Sequence, residues 1–406
     1  MIHMRKTKEE LEQIKAKYGV QELWSFSKVN KFITSPYEYY LKYILKIKED
    51  RMSGIYATSG GTVHDIIERF YKKEIPYEQM VEEYENALFL FNQAELKYNA
   101  TDEEKNAKIA NKYEDCIRHF FRNHKVFNQK AMLEQFALTN IGGRIFQGYI
   151  DFVFQDTDGC LTILDWKTSS MYKGEKVNKE GKQLLIYALS LIQHGMPIEK
   201  IKVCWNFVKY VKVSFTLQNG KAKERYLERN DIGSSLASTL KTKMKALKYS
   251  TEQIDNYLEV AVLTNSLEQL PEEVRSQFVF EDCLVYVPLS AEILEELQKE
   301  IILTLENIDK KTQEWYNKKA VGSSDTELDK IWYDTEEQLK ANEYYFYNLC
   351  GYSKNLHKPW DDYVAKLELL QKERDNVFFD AEALSATPND NSEFSENDFS
   401  WLNGLQ

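Results

Sequence analysis

Hydrophobic and polar positions alternate most tellingly between Gly142 and Thr168, where two apolar, β-branched and aromatic runs flank Asp156-Thr157-Asp158-Gly159. This pattern predicts a β-hairpin. Pairing Asp156 with Cys160 leaves a three-residue loop ending on Gly159, which supplies the left-handed conformation of the favoured turn plus bulge. In that register Asp151 stands directly across from Asp165, and strand alternation puts Lys167 on the same face. The opposite face carries Ile150, Phe152, Phe154, Leu164 and Trp166. Val153, Leu161 and Ile163 make the charged face otherwise apolar as well, so the hairpin belongs inside a sheet covered by helices on both sides.

The same reading divides the rest of the chain. Residues 5–18 form a charged helix, and Ser27 caps a helix over 28–34. Ser35-Pro36 restarts the chain into the aromatic helix YEYYLKYIL. Ser59-Gly60-Gly61-Thr62 leads into a helix over about 62–74, on which His64 and Glu68 share a face. Residues 77–130 read as a helical insertion with a charged connector near 101–108, and 131–141 as a strand. A polar, lysine-bearing loop follows at 169–181, then an amphipathic helix from Lys182 to His194 closed by Gly195, with Gln183 and Tyr187 on one face. Residues 200–208 are a strand, and a hairpin through Asn219-Gly220 extends the sheet. Helices over 293–319, 326–348 and 360–374 complete the pattern. The expected fold is α/β, a central mixed sheet flanked by helices, with a helical insertion and a helical C-terminal region. Its parts are an N-terminal helix (1–25), a core (26–230), a helical accessory region (231–380) and an acidic tail (381–406).

Composition narrows the class. A chain of 406 residues with net charge −11 and 43% hydrophobic residues reads as a soluble, ordinary globular protein of two or three domains. No apolar run has the length of a membrane span, and no signal-peptide pattern begins the chain, so no membrane partner is expected. Five scattered cysteines form no C-x-x-C pair, which fits a reducing cytoplasm rather than a disulfide or zinc framework. Between Glu199 and Lys248 there are twelve Lys or Arg against four Asp or Glu. A charge run is ordinarily a solvated face, but this one adjoins the hairpin. Lys241, Lys243 and Lys245, with Lys173 and Lys176 of the polar loop, are therefore candidate phosphate-binding residues.

Two carboxylates facing each other on a largely apolar sheet repel and are poorly solvated. A divalent cation removes that problem, since hard cations take carboxylate oxygens. The competing reading is a buried ion pair of Lys167 with one aspartate, and the two carry similar weight on these residues alone.

Further motifs in order shift that balance. Gly61-Thr62-Val63-His64 followed by Glu68, Gly148-Tyr149-Ile150-Asp151, Asp165-Trp166-Lys167-Thr168 and Gln183 to Tyr187 together resemble the PD-(D/E)XK nucleases, in the branch of the RecB and AddB nuclease domains. Phe26-Ser27 through Ser35-Pro36-Tyr37 also resembles that branch, and the likeness covers roughly the first half of the chain. It implies a restriction-endonuclease-like core. Asp151, Asp165 and the Trp166 carbonyl would hold Mg²⁺ or Mn²⁺ with His64 as a ligand or beside one. Lys167 would act on the attacking water or the developing phosphorane charge, and Gln183 and Tyr187 would orient substrate. Ser35 stands where some members carry an upstream cluster cysteine and no C-terminal cysteine group follows, so no iron–sulfur cluster is expected. The implied partner is DNA and the implied task is end-processing, exonuclease-like, in recombination, repair or replication. The single-domain format without helicase motifs is reminiscent of phage-encoded nucleases. Two rivals stand beside this: a catalytically silent DNA-binding scaffold, and a protein-interaction factor acting through the helical second half.

After Arg374 the chain holds seven acidic residues and no Lys or Arg, yet closes on Phe394, Phe399, Trp401 and Leu402. Docking to a protein partner, folding back onto the chain's own surface, and competition with DNA for the basic cleft are all open to such a tail.

Overall fold

The hairpin forms in the register that its turn dictates. The Asp156 amide donates to the Cys160 carbonyl at 2.8 Å, Gly159 has φ +82°, and Phe152 pairs with Leu164. This computed structural model describes residues 5–51, 54–99, 102–127 and 131–384, and the last 22 residues of the expected tail lie outside them. Among the described residues six strands make one mixed sheet: β1 (Ala131–Ile141), β2 (Arg144–Gln155), β3 (Leu161–Lys167), β4 (Ile201–Thr216), β5 (Ala222–Glu228) and β6 (Phe278–Tyr286). Neighbours run β1-β2-β3-β4-β5, and β6 also pairs with β4. Only β3 and β4 are parallel, and the crossover between them carries the Lys182–Gln193 helix.

Helices cover both faces, as a hairpin apolar on both sides requires. On one face Val63, Ile66 and Ile67 of the Ile55–Tyr71 helix and Phe120 and Phe121 of the Glu103–Asn123 helix bury Phe152, Phe154, Leu164 and Trp166. On the other, Val153 and Ile163 pack with Leu185 and Ala188 of the crossover helix and Ile301 of the Ala291–Ala320 helix. Ile150 departs from its expected face and joins this second cluster. Trp332 and Trp360 share it too, so the helical C-terminal region is built onto the same core as the sheet. A third cluster, at the far end of β4, holds Val211 and Val213 under the Ile232–Ala246 helix. There a Cβ on Gly233 would lie 2.1 Å from the Ala261 carbonyl oxygen, so only glycine permits this helix crossing.

Several boundaries differ from the sequence reading. Ser25, not Ser27, caps the second helix, which runs Phe26–Thr34. The motif helix begins at Ile55, seven residues early, with Gly60 and Gly61 inside it; a Cβ on Gly60 would approach Thr168 Oγ1 to 3.3 Å. The charged connector is mostly helix, because the Asp102 carboxylate caps it by accepting from the Lys105 amide. The two strands expected over 200–217 are one long β4, whose register against β6 shifts between Asn206 and Val211. Residues 326–348 break into three short helices, Asp325–Lys330, Glu336–Ala341 and Glu343–Asn348. The accessory region is not purely helical: β6 lies within it and completes the sheet, so the sheet extends beyond the expected edge at residue 230. The helix Lys358–Leu384 runs into the start of the expected tail. No helix among the described residues is long and apolar enough to cross a membrane.

Candidate active site

The β2–β3 ladder ends at Phe152 and Leu164, one step short of Asp151 and Asp165. The two carboxylates thus sit where the paired strands part. Asp165 is buried, with Lys167 Nζ 2.7 Å from its Oδ2. Asp151 Oδ2 lies 3.1 Å from His64 Nδ1, and His64 Nε2 donates to the Trp166 carbonyl at 2.7 Å. His64 therefore engages two of the expected metal ligands, and neither of its ring nitrogens is free. Although Asp151 Oδ2 and Asp165 Oδ2 each have a cation nearby, both are buried and neither receives a hydrogen bond of acceptable geometry.

Electrostatics follow from this placement. Burial raises the Asp165 pKa, and the neighbouring Asp151 charge adds to it against the pull of Lys167. Burial acts to lower the pKa of His64, but the adjoining Asp151 carboxylate outweighs it and holds the imidazole above its ordinary value. Lys167 is likewise held above its ordinary value, Asp165 overcoming the effect of burial. The centre thus sets two carboxylates against a lysine and a histidine.

The crossover helix supplies the neighbouring wall. Gln183 Nε2 donates to the Tyr187 hydroxyl at 2.8 Å, one turn apart. Burial, opposed by the Gln183 hydrogen bond, pushes the Tyr187 phenol up to about 12. Gly148 lets this ring approach β2, since a Cβ there would meet Tyr187 Cε1 at 2.5 Å. Three cavities open from the centre. One of about 300 Å³ contains Asp165, Lys167 and Gln183; one of about 340 Å³ contains Asp151, Gln183 and Tyr187; one of about 600 Å³ contains His64, Glu68 and Asp151. Glu68, on the His64 face, forms an ion pair with Lys72.

The basic candidates separate. Lys173 and Lys176 are exposed, and Lys176 Nζ lies 4.9 Å from the ring centroid of Tyr172, which lines the first cavity. Lys241 and Lys245 are exposed on the Ile232–Ala246 helix, and neither they nor Lys243 lines any of these three cavities. Lys243 corrects the expectation: it is buried and donates to the Thr216 carbonyl and Gln277 Oε1, both at 2.9 Å. Its charge is spent on fixing the third core cluster, and burial lowers its pKa.

Glu134 is an acidic neighbour that the sequence reading passed over. It falls opposite Asp151 in the β1–β2 ladder, between the pairs Leu133–Phe152 and Gln135–Ile150, and has φ +46°. Burial, reinforced by the Asp151 charge, raises its pKa, while Arg5 Nε lies 3.3 Å away. The signal was present in Gly142-Gly143: both glycines have positive φ and Ile141 pairs with Arg144, a two-residue turn that sets this register.

Among the described residues no three His, Cys, Asp or Glu side chains converge into a ready-made metal cage. The residues present nonetheless fit a hard cation. Two buried carboxylate oxygens held by ion pairs but by no well-formed hydrogen bond, beside a backbone carbonyl, form an oxygen donor set of the kind that Mg²⁺ uses while keeping several waters.

A family model for the PD-(D/E)XK nuclease superfamily matches residues 23–281, and the chain belongs to this superfamily. No curated protein matches the chain. Among solved structures, the crystal structure of SSO0001 is 15% identical over 48% of this chain and 75% of its own, with a TM-score of 0.16, a likeness too slight to bear on the fold.

Proposed function

We propose that the protein is a Mg²⁺- or Mn²⁺-dependent nuclease that hydrolyses DNA phosphodiester bonds and processes ends in recombination, repair or replication. The observation that carries this reading is the pair of buried carboxylates of Asp151 and Asp165 at the point where β2 and β3 part, each with an oxygen that makes no well-formed hydrogen bond, and with Lys167 beside them. Asp151, Asp165 and the Trp166 carbonyl would hold the cation. When bound, it acidifies a coordinated water and offsets charge on the scissile phosphate. His64 holds the Trp166 carbonyl and Asp151 in place. The Lys167 ammonium would orient the attacking water or stabilise charge developing on the phosphorane. Gln183 and Tyr187, tied to each other, orient the strand. The choice of DNA and of ends rests on the resemblance of the motif set to the RecB and AddB branch.

Digestion of end-labelled single-stranded, linear duplex, nicked and circular DNA with Mg²⁺, with Mn²⁺ and with EDTA tests this. Cleavage dependent on metal and on a DNA end is expected. A chain inert in every metal would instead be the silent scaffold.

A further inference from the structure

The smallest of the three cavities has a wall that the catalytic motifs do not supply. Lys167, Asp165 and Gln183 form its inner side, and Tyr172 stands beside them from the loop after β3. Its outer side is the polar face of the Phe26–Thr34 helix, where Asn30 and Lys31 line it, together with Tyr345 from the short Glu343–Asn348 helix. Tyr345 lies 314 positions from Lys31 and beyond the residues that match the superfamily.

Its placement is firmly held. Lys31 Nζ donates to the Tyr345 hydroxyl at 2.7 Å and to Glu38 Oε1 at 2.6 Å, and Glu38, which is fully buried, also accepts from Tyr345. Burial and the Glu38 charge hold the Tyr345 phenol well above its ordinary range, so the hydroxyl keeps its proton and remains a donor. Lys31 is neutralised by Glu38, which makes it a positioning residue for the ring and not a free phosphate ligand. The rings of Tyr172 and Tyr345 are both half-buried. A volume of about 300 Å³ is at the small end for an enclosing pocket and has room for one nucleotide, not for a base pair.

We propose that this cavity is a nucleotide subsite beside the scissile phosphate, in which one unpaired base of the strand being cut rests against Tyr345 and Tyr172. The proposal rests on the nuclease reading above and adds a substrate requirement to it. Aromatic faces accept any base, so the subsite demands an unpaired nucleotide without demanding a sequence.

The experiment uses the full chain in EDTA, where no strand is cut, and a fluorescein-labelled single-stranded oligonucleotide carrying 5-iododeoxyuridine. Irradiation should join the iodinated base to Tyr345 or Tyr172, as read by peptide mass mapping. Asn30→Trp, at an exposed position, should fill the cavity, abolish that adduct and weaken binding by about tenfold, the scale of losing one stacked base. Tyr345→Ala should lose the Tyr345 adduct and weaken binding by about tenfold. Adducts only at other residues, or an Asn30→Trp protein that melts normally and binds as wild type, would overturn the proposal. The nuclease reading is judged separately by metal-dependent cleavage. A chain that cleaves without these adducts refutes only the subsite, and one that forms them without cleaving in any metal refutes only the nuclease.

Discussion

Asp165 on β3 and Asp282 on β6 belong to the same sheet and are about equally buried, 7% and 8% exposed, yet their surroundings push them in opposite directions. Asp282 takes Arg229 Nη2 on one oxygen at 2.6 Å and His124 Nδ1 on the other at 2.8 Å, and the Tyr71 hydroxyl bonds His124 Nε2 at 2.9 Å. Burial acts to raise its pKa, but the His124 and Arg229 contacts prevail and hold it below the ordinary carboxylate range. Asp165 has the same ingredients nearby, a histidine and a basic side chain, but one oxygen accepts no hydrogen bond and its pKa is raised. A carboxylate whose lone pairs are all answered by protein is a structural tie. One left partly unanswered at the mouth of a cleft has capacity for something the protein does not itself supply.

The comparison breaks if the two sites respond alike to substitution. Asp282→Ala should destabilise the fold by about 3–5 kcal/mol, because Arg229 is left buried and unpaired. Asp165→Asn should leave stability equal or slightly higher, since it removes repulsion with Asp151. Urea denaturation of both variants measures this, and equal losses would make Asp165 another structural tie.

Lys167→Ala should reduce cleavage by about 10²–10³-fold, the scale for removing one group that stabilises transition-state charge, with little change in melting temperature. Single-turnover cleavage of labelled DNA reads the effect, and a wild-type rate would remove Lys167 from the mechanism.

Divalent cations sharpen the contrast. Mn²⁺ at a hundred times its dissociation constant should stabilise the wild type by about 2.7 kcal/mol. Asp151→Asn and Asp165→Asn should lose that gain, and Asp282→Asn should keep it. Thermal melts with and without the ion decide the point; a gain that survives both active-site changes would put the ion elsewhere.

Acid and base should affect the two aspartates with opposite sign. The Asp282 pKa is depressed below its ordinary value of 3.8, so its stabilisation is full above that value and is lost as pH falls through the folded pKa. The Asp165 pKa is raised above 3.8, so the folded state holds a proton there that the unfolded chain has released, and stability declines as pH rises through that window. Asp165→Asn should flatten this decline, and Asp282→Asn should remove the loss at low pH.

The smallest effect concerns Glu134. Glycine tolerates φ +46° without a Cβ penalty, so Glu134→Gly should stabilise by about 1 kcal/mol, the exposed Arg5 contact being worth little. A loss of stability would mean that the conformation is not strained.

What the sequence by itself determined is local. The Asp156–Cys160 turn and the period of two bring Asp151, Asp165 and Lys167 to one place, because a hairpin's register depends only on its turn and its alternation. The one-turn spacing of Gln183 and Tyr187 is legible for the same reason, as is Glu134 once Gly142-Gly143 is taken as a turn. Tertiary structure decided everything whose partner is remote. His64 meets Trp166 across 102 positions, and Tyr345 meets Lys31 across 314. β6 returns to β4 after three helices, and Lys243, which reads as one basic residue among twelve, is taken into a core. No local pattern encodes these contacts, since each depends on which surfaces the folded layers bring together. The parting of β2 and β3 beyond Phe152 and Leu164 is of the same kind: alternation aligns the two aspartates, but where the ladder ends is decided by the packing of the layers.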